Sequence, residues 1–380
     1  MQDKDTKPEI YRDEQVREAI RELFSYQDFL AGMKAFVPFQ LNKLILEEVD
    51  LVETAHDFQK NVIRPFLKAV KKSTISHLSY TGLENLKPDE SYLFISNHRD
   101  IVLDSAFLNM VLLENDMQTS QVAIGDNLVV NRLTELIFRI NKSFVVKRTG
   151  NPREIYRHAL LLSDYIYKTI DQKKDSIWIA QREGRAKDGN DRTQLALLKM
   201  LSLNNKSKDL RSYFRNLKIV PVSISYEFDP CAYLKTKEFL EKQSNPEYKK
   251  SFHQDAEHLL LGIKGHKGNV HFHFEKPLDK RLSILDEVDT VKGKLKLLAS
   301  VIDKSIHQNY KLFPVNYYAH DALNDTDKHQ NHYTGQAKES LNQFFNILIE
   351  MLPEEWQEEG RQFMLKIYAY PLKNALSYTE

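Results

Sequence analysis

Between Ser76 and about Pro314, short β-rich runs alternate with amphipathic helical stretches, and this alternation narrows the possible folds more than any other feature of the chain. Candidate strands are Tyr92 to Ser96, Gln121 to Ile124, Ser143 to Val146, Ser176 to Ala180, Lys218 to Tyr226 and Asn269 to Phe274. Between them, "IYRHALLLSDYIYKTI" and "RTQLALLKMLSL" carry apolar residues at helical spacing and read as helices packed on a sheet face. Strands that alternate with helices join most simply through crossover connections. The pattern therefore predicts an α/β fold with a mainly parallel sheet flanked by helices. No internal repeat interrupts it.

Both ends have a different texture. From Asp13 to about Ser73 apolar residues recur every three or four positions, as in Leu41, Leu44, Ile45, Val49 and Val52, which predicts an N-terminal helical region over 1–75 with Pro65 starting or kinking a helix. After a core of 76–315 comes "AHDALNDTDKHQNHYTG", a polar stretch without periodicity that predicts a surface connection. A last helical piece, "SLNQFFNILIEML", completes a C-terminal region over 316–380. The connection holds His320, His329 and His332, but without the tight paired spacing of a zinc site, so no metal is expected there.

Bulk properties exclude several classes of function. The chain has 380 residues, of which 42 % are apolar and 28 % charged, a balance that suits a packed globular protein rather than a disordered one. Fifty-four Lys and Arg against fifty-three Asp and Glu leave a formal charge of +1, so no global field points to nucleic acid. The single cysteine, Cys231, excludes an intramolecular disulfide, fits a reducing compartment and reads as a small buried or half-buried residue. The first residues are charged and lack the apolar core of a signal peptide. No run approaches the roughly 18 apolar residues of a membrane span, since the best, Ile101 to Leu113, is broken by Asp104 and Asn109. Membrane contact is thus expected to be peripheral, and a segment such as "LTELIFRINKSF" reads either as an interfacial helix or as one packed on the sheet.

The chemistry gathers where strands end. "FISNHRDIVLD" runs from a strand into a helix, with His98 at the junction, the position where ligands bind in open α/β sheets. A carboxylate in the first turns of the following helix can hold the imidazole in one tautomer, making a base and orienter pair, while Arg99 offers a charge for an anion. The same residues also read as a helix capped by Asn97 or Asp100, with His98 a loop residue. Three later segments bear on the choice. "INKSFVVKRTGNPRE" delivers Lys147 and Arg148 at one strand end, which suits a phosphate. "IWIAQREGRAKDGNDRTQ" ends a strand in Arg182, Glu183, Gly184, Arg185 and Lys187, a glycine among cations without the order of a Walker loop. "LKIVPVSISYEFD" is an apolar strand entered through Pro221 and closed by Tyr226 and Glu227.

In this order the four segments resemble the four blocks of the glycerolipid acyltransferase superfamily. "SNHRDIVLD" is similar to its Asn-His block with a following aspartate, and "SFVVKR" to the strand ending in the arginine that grips the acceptor phosphate. "REGRAKDG" resembles the Glu-Gly-Arg block and "IVPVSISYE" the block with Val-Pro-Val, while "GNVHFHFEKPL" looks like the strand that follows. The resemblance covers roughly Ser76 to Leu278 and leans towards the branch that acylates glycerol-3-phosphate. It implies transfer of an acyl group from acyl-CoA or acyl carrier protein to a hydroxyl of glycerol-3-phosphate or a lysophospholipid, without a covalent enzyme intermediate or a bound cofactor. It also implies a protein working in the cytoplasm, at the inner face of the membrane. His98 would be the general base, oriented by Asp104. Arg148 and Arg185 would bind the acceptor phosphate, and Asn97, Arg99, Lys147, Glu183, Gly184, Lys187 and Pro221 would complete the substrate site. Two departures matter. The family usually has four residues between histidine and aspartate, whereas five separate His98 from Asp104, which leaves Asp100 as an alternative orienter. In the third block one glycine is followed directly by arginine, which leaves the separate roles of Arg185 and Lys187 open. A different lipid acceptor, such as an acylated amino acid, and an inactive lipid-binding protein are the rival readings.

Overall fold

A computed structural model of the chain describes residues 8–37, 39, 43, 45–46, 51–172, 174–207 and 209–378. Among the described residues seven strands form one sheet in the order β1-β7-β6-β2-β5-β3-β4. They are β1 (Ile75–Thr81), β2 (Leu93–Ser96), β3 (Gln121–Gly125), β4 (Ser143–Val146), β5 (Ile177–Ala180), β6 (Ile219–Tyr226) and β7 (Gly268–Phe274). Only the β6–β7 pair is antiparallel. The mainly parallel α/β sheet that the alternation predicts is thus present. Six strands lie where the sequence places them, and β1 is the addition. Its "ISHLSYT" carries polar residues on its exposed positions and pairs on one side alone, with β7, so it lacks the apolar run that marks the inner strands.

Both faces of the sheet are buried, as a parallel sheet requires. Successive side chains of one strand serve opposite faces. Leu93, Ile95, Ile177, Ile179 and Ile219 join the core covered by the helices Pro152–Asp171, Leu195–Leu201, Leu210–Asn216 and Val291–Gln308. Phe94, Trp178, Val220 and Val222 join the other core with Phe107 and Leu108 of the Leu103–Glu114 helix and Leu67 of the Arg64–Thr74 helix. Asn151 caps the long Pro152–Asp171 helix with Pro152 at its first position, the arrangement expected of a firm helix start.

The terminal regions are helical. Residues 41, 44 and 49 of the N-terminal apolar pattern lie outside the described residues, while Ile45 and Val52 are buried in a cluster with Val16, Ile20 and Leu23 of the Asp13–Ser25 helix. That cluster includes Leu136 and Ile140 of the Arg132–Ile140 helix, with Leu133 and Ile137 packed against it. The apolar side of "LTELIFRI" is therefore covered by the N-terminal helices, and ion pairs from Arg132 to Glu22 at 2.6 Å and to Glu135 at 3.1 Å border it. At the other end the polar connection is shorter than its composition suggests. The Pro314–Asn324 helix already contains Ala319 to Asn324, because Val315, Tyr318 and Ala319 face a core shared with the Gln357–Leu376 helix. No helix is long and apolar enough to cross a membrane among the described residues.

Candidate active site

On one side of β2 lie β5, β3 and β4, and on the other β6, β7 and β1, so the carboxyl end of β2 sits where the chain's path divides. Such a point opens a crevice between loops leaving in opposite directions. Asn97 begins the loop by bonding both polar groups of one residue on the neighbouring strand: its Nδ2 donates to the Ile224 carbonyl, and its Oδ1 accepts from the Ile224 amide, each at 2.8 Å. On the other side Gln181 N donates to the Ser96 carbonyl at 2.7 Å, and Trp178 Nε1 donates to Ser96 Oγ at 3.0 Å. The His98 ring stands edge-on to Trp178 at 5.7 Å. The loop that carries it is anchored to both neighbouring strands.

His98 Nδ1 lies 2.8 Å from Asp104 Oδ2, and the same oxygen accepts the Arg99 amide at 2.6 Å and the Asp100 amide at 3.0 Å. Asp104 is fully buried, whereas the His98 side chain keeps 14 % exposure and its Nε2 makes no hydrogen bond among the described residues. A ring fixed through Nδ1 and open at Nε2 can accept a proton from a group that approaches from outside. Asp100 does other work: its Oδ1 accepts the amides of Val102 at 3.0 Å and Leu103 at 2.8 Å, ahead of the Leu103–Glu114 helix. Burial, then the charge of Asp104, raises its pKa above the usual carboxylate range. Beneath the pair, Tyr226 is wholly buried, and burial with the nearby Asp104 pushes its phenol well up.

Arg99 turns inward. It is 3 % exposed, and its guanidinium reaches Asp191 at 3.6 Å and Asp229 at 3.8 Å, although Nε and Nη1 make no hydrogen bond among the described residues. Asp229 also receives Lys235 Nζ at 2.5 Å, and Lys235, itself fully buried, lies 3.5 Å from the Arg99 carbonyl. Burial alone would raise the Asp229 pKa, but Lys235 and Arg99 outweigh it and hold the carboxylate at about 2. The residue expected to face an anion is thus part of an internal ion network under the His98 loop.

The second and third blocks meet at their strand ends. Arg148 follows β4 and lies 3.6 Å from Glu183, which follows β5. Gly125, at the end of β3, makes room for it, since a Cβ there would stand 2.8 Å from Arg148 Cζ. Asp126 sets the turn, its Oδ2 accepting the Arg148 amide at 3.1 Å and the Thr149 hydroxyl at 2.8 Å. Lys147, the other cation of that block, is partly buried at the same strand end. Gly184 adopts φ +66°, a left-handed conformation natural to glycine, and has open space above it. Arg185 is 8 % exposed and its Nη2 meets His258 Nδ1 at 3.0 Å, while Nη1 remains without a partner among the described residues. Lys187 pairs with Glu238 at 2.6 Å; burial brings the lysine down to about 8. Pro221 is buried in β6 opposite Ile95 of β2 and accepts the Glu275 amide at 3.0 Å, a place in the sheet rather than at its mouth.

Several residues that support this site carried no signal in the sequence. Asp126 is an ordinary loop aspartate until β3 and β4 are paired, and Asp191, Asp229 and Lys235 become a network only through the fold. The C-terminal region also takes part. Tyr368 Oη accepts the Asp229 amide at 3.1 Å, Asn374 bonds Asn190 at 3.2 Å, and Gly189 passes too close to the Ile367 carbonyl to bear a side chain.

Residues 77–225 match the family model described as Acyltransferase, a span that begins in β1 and ends in β6. Among solved structures, the 1-acyl-sn-glycerophosphate (LPA) acyltransferase PlsC from Thermotoga maritima is similar at 12 % identity and a TM-score of 0.36, covering 77 % of this chain and 92 % of that one. No curated protein matches the chain.

Proposed function

We propose, from the acyltransferase domain that residues 77–225 match, that the chain is a member of the glycerolipid acyltransferase superfamily and moves a fatty acyl group from a thioester, borne by coenzyme A or acyl carrier protein, to a hydroxyl of glycerol-3-phosphate or a lysophospholipid in membrane-lipid synthesis. The observation that carries this reading is the His98–Asp104 contact at 2.8 Å with Nε2 left open. His98 Nε2 takes the proton of the acceptor hydroxyl as its oxygen attacks the thioester carbonyl. The tetrahedral adduct then collapses, the carbon–sulfur bond breaks, and the imidazolium returns the proton to the departing thiolate. Throughout, Asp104 holds the ring and faces the positive charge that forms on it. Oxygen is acylated, the thiol is released, and the enzyme ends as it began.

Arg148 and Lys147 hold the acceptor phosphate in this proposal, because Arg148 is the partly exposed guanidinium at the strand ends and Gly125 leaves it unhindered. Arg185 keeps one donor, Nη1, for the same anion, while Arg99 and Lys187 serve mainly as internal counter-charges. Peripheral contact with the cytoplasmic face of a membrane falls to the N-terminal region, where Phe39 and Leu51 are 82 % and 72 % exposed.

The test mixes protein, acyl thioester and a thiol-detecting reagent, with a panel of glycerol phosphates, lysolipids and acylated amino acids as acceptors. Thiol release that depends on a phosphate-bearing acceptor, and falls about 10²- to 10⁴-fold in H98A, is the expected result. Release without acceptor would mean a hydrolase, and dependence on an acylated amino acid would move the acceptor. Silence across the panel would mean a binding protein, and an H98A variant working at the parental rate would remove His98 from the mechanism.

A further inference from the structure

Away from the strand ends, one group of ligating side chains comes together among the described residues. His320 and Asp321 lie on the Pro314–Asn324 helix, and His329 precedes the short turn Gln330–His332. One ligand atom of each lies within 4.8 Å of the others. Two bonds of about 2.1 Å at a tetrahedral angle would set donor atoms roughly 3.4 Å apart, so small ring rotations close the set around an ion.

Hydrogen bonding explains why these groups suit a cation. His320 Nδ1 and His329 Nε2 are buried and make no hydrogen bond among the described residues. The His329 residue is 9 % exposed and Asp321 is 2 % exposed, so water does not readily replace a missing partner. The Asp321 carboxylate accepts Thr326 Oγ1 at 3.1 Å, the His329 amide at 2.8 Å and Tyr333 Oη at 2.9 Å. Those three donors occupy most of the roughly four acceptor positions of a carboxylate, leaving about one. The two rings meet edge to face at 4.9 Å. Tyr317 stacks on His332 at 4.0 Å and also approaches His329.

We propose that His320 Nδ1, His329 Nε2 and one oxygen of Asp321 bind a single divalent transition metal of the zinc type, with a fourth position for water, and that the ion clamps residues 325–334 onto the Pro314–Asn324 helix. Two imidazoles with one carboxylate select zinc and its neighbours over magnesium or calcium, which prefer all-oxygen sites. The clamp acts on the connection between two helices of the C-terminal region. His320 and His329 are nine apart in sequence, outside the short spacing by which such sites are recognised, and only the turn at Asp325, with φ +52°, folds them back together.

The experiment uses the full chain without an affinity tag, stripped with a chelator and titrated with Zn²⁺ or Co²⁺. One equivalent should bind, cobalt should give the intense visible bands of a low-coordinate site, and Zn²⁺ should raise the melting temperature by several degrees. H320Q and H329Q should each weaken zinc binding roughly tenfold or more with the helical circular dichroism of the apo protein unchanged, and H332Q should bind as the parent does. Absence of saturable one-to-one binding by the folded parent, or binding undiminished in both H320Q and H329Q, would overturn the site. Neither result depends on the acyltransferase assay.

Discussion

Replacing Asp104 with asparagine isolates charge from shape. In the native arrangement Oδ2 receives His98 Nδ1 together with the Arg99 and Asp100 amides, while Oδ1 is buried and makes no hydrogen bond among the described residues. The two backbone amides can only donate, so in D104N they hold the side-chain oxygen of the new asparagine in the Oδ2 place and turn its NH₂ group into the Oδ1 place. The ring keeps its tautomer and loses the negative charge facing the imidazolium. A hydrogen bond to a charged partner is worth about 1.5–3 kcal/mol, against about 0.5–1.5 for a neutral one. The difference between those ranges, about 1–1.5 kcal/mol in the transition state, corresponds to roughly 5- to 13-fold in kcat. D104A removes the acceptor of two buried amides at about 1–3 kcal/mol each, which makes it a stability variant first. D100N is the control. Asparagine keeps a side-chain oxygen for the Val102 and Leu103 amides that Asp100 Oδ1 accepts, so the exchange leaves the start of the helix intact. Initial rates of thiol release at saturating acceptor, with melting curves for each variant, give the answer. If D100N loses as much rate as D104N, or if D104N is fully active, the assignment of Asp104 as orienter is refuted.

Two further outcomes follow from packing and charge. G125A should raise the acceptor KM several-fold with little change in kcat or melting temperature, because the new methyl meets only the flexible ends of Arg148 and Asn127, and steady-state kinetics with a phosphate-bearing acceptor check it. Burial, then Lys250 and Arg185, lowers the His258 pKa to about 3, from about 6.5 in an unfolded chain. Between those values the unfolded state binds a proton that the native state refuses, so the contribution to stability is complete above about pH 6.5 and is lost as the pH falls towards 3. H258Q, whose amide oxygen can still accept Arg185, should flatten the decline of melting temperature between about pH 6.5 and 4.

What could be read from the sequence followed the strength of local pattern. The inner strands and the Pro152–Asp171 helix are legible because both their faces or one whole stripe are apolar, and β1 is not, because a half-exposed edge strand mixes Ser, His and Tyr with its apolar residues. His98 and Asp104 could be named, but their contact could not be chosen over Asp100 without the loop. The described backbone resolves that choice physically: residues 97–102 stay non-helical and the helix begins at Leu103, so the extra residue is taken up before the first turn. Asp104 then stands within that turn, beside the ring, and Asp100 is left to cap. The direction of Arg99 was beyond sequence reasoning, since its partners lie 92 and 130 positions further along the chain.

That inward arginine also explains why the C-terminal helices belong to the site. A buried Arg99, Lys235, Asp191 and Asp229 cluster is tolerable only if each charge has a partner and the remaining polar groups are enclosed with donors and acceptors of their own. Part of that enclosure comes from the Gln357–Leu376 helix: Tyr368 accepts the Asp229 amide, and the Ile367 carbonyl closes on Gly189 two residues before Asp191. His307, on the Val291–Gln308 helix, bonds the Asp191 carbonyl at 2.7 Å. Composition divides the chain near residue 315, whereas the polar packing that steadies the Arg99 backbone, and with it the amide that Asp104 accepts beside His98, crosses that line. His98 is therefore set by a strand end but held in place by groups drawn from the far end of the chain.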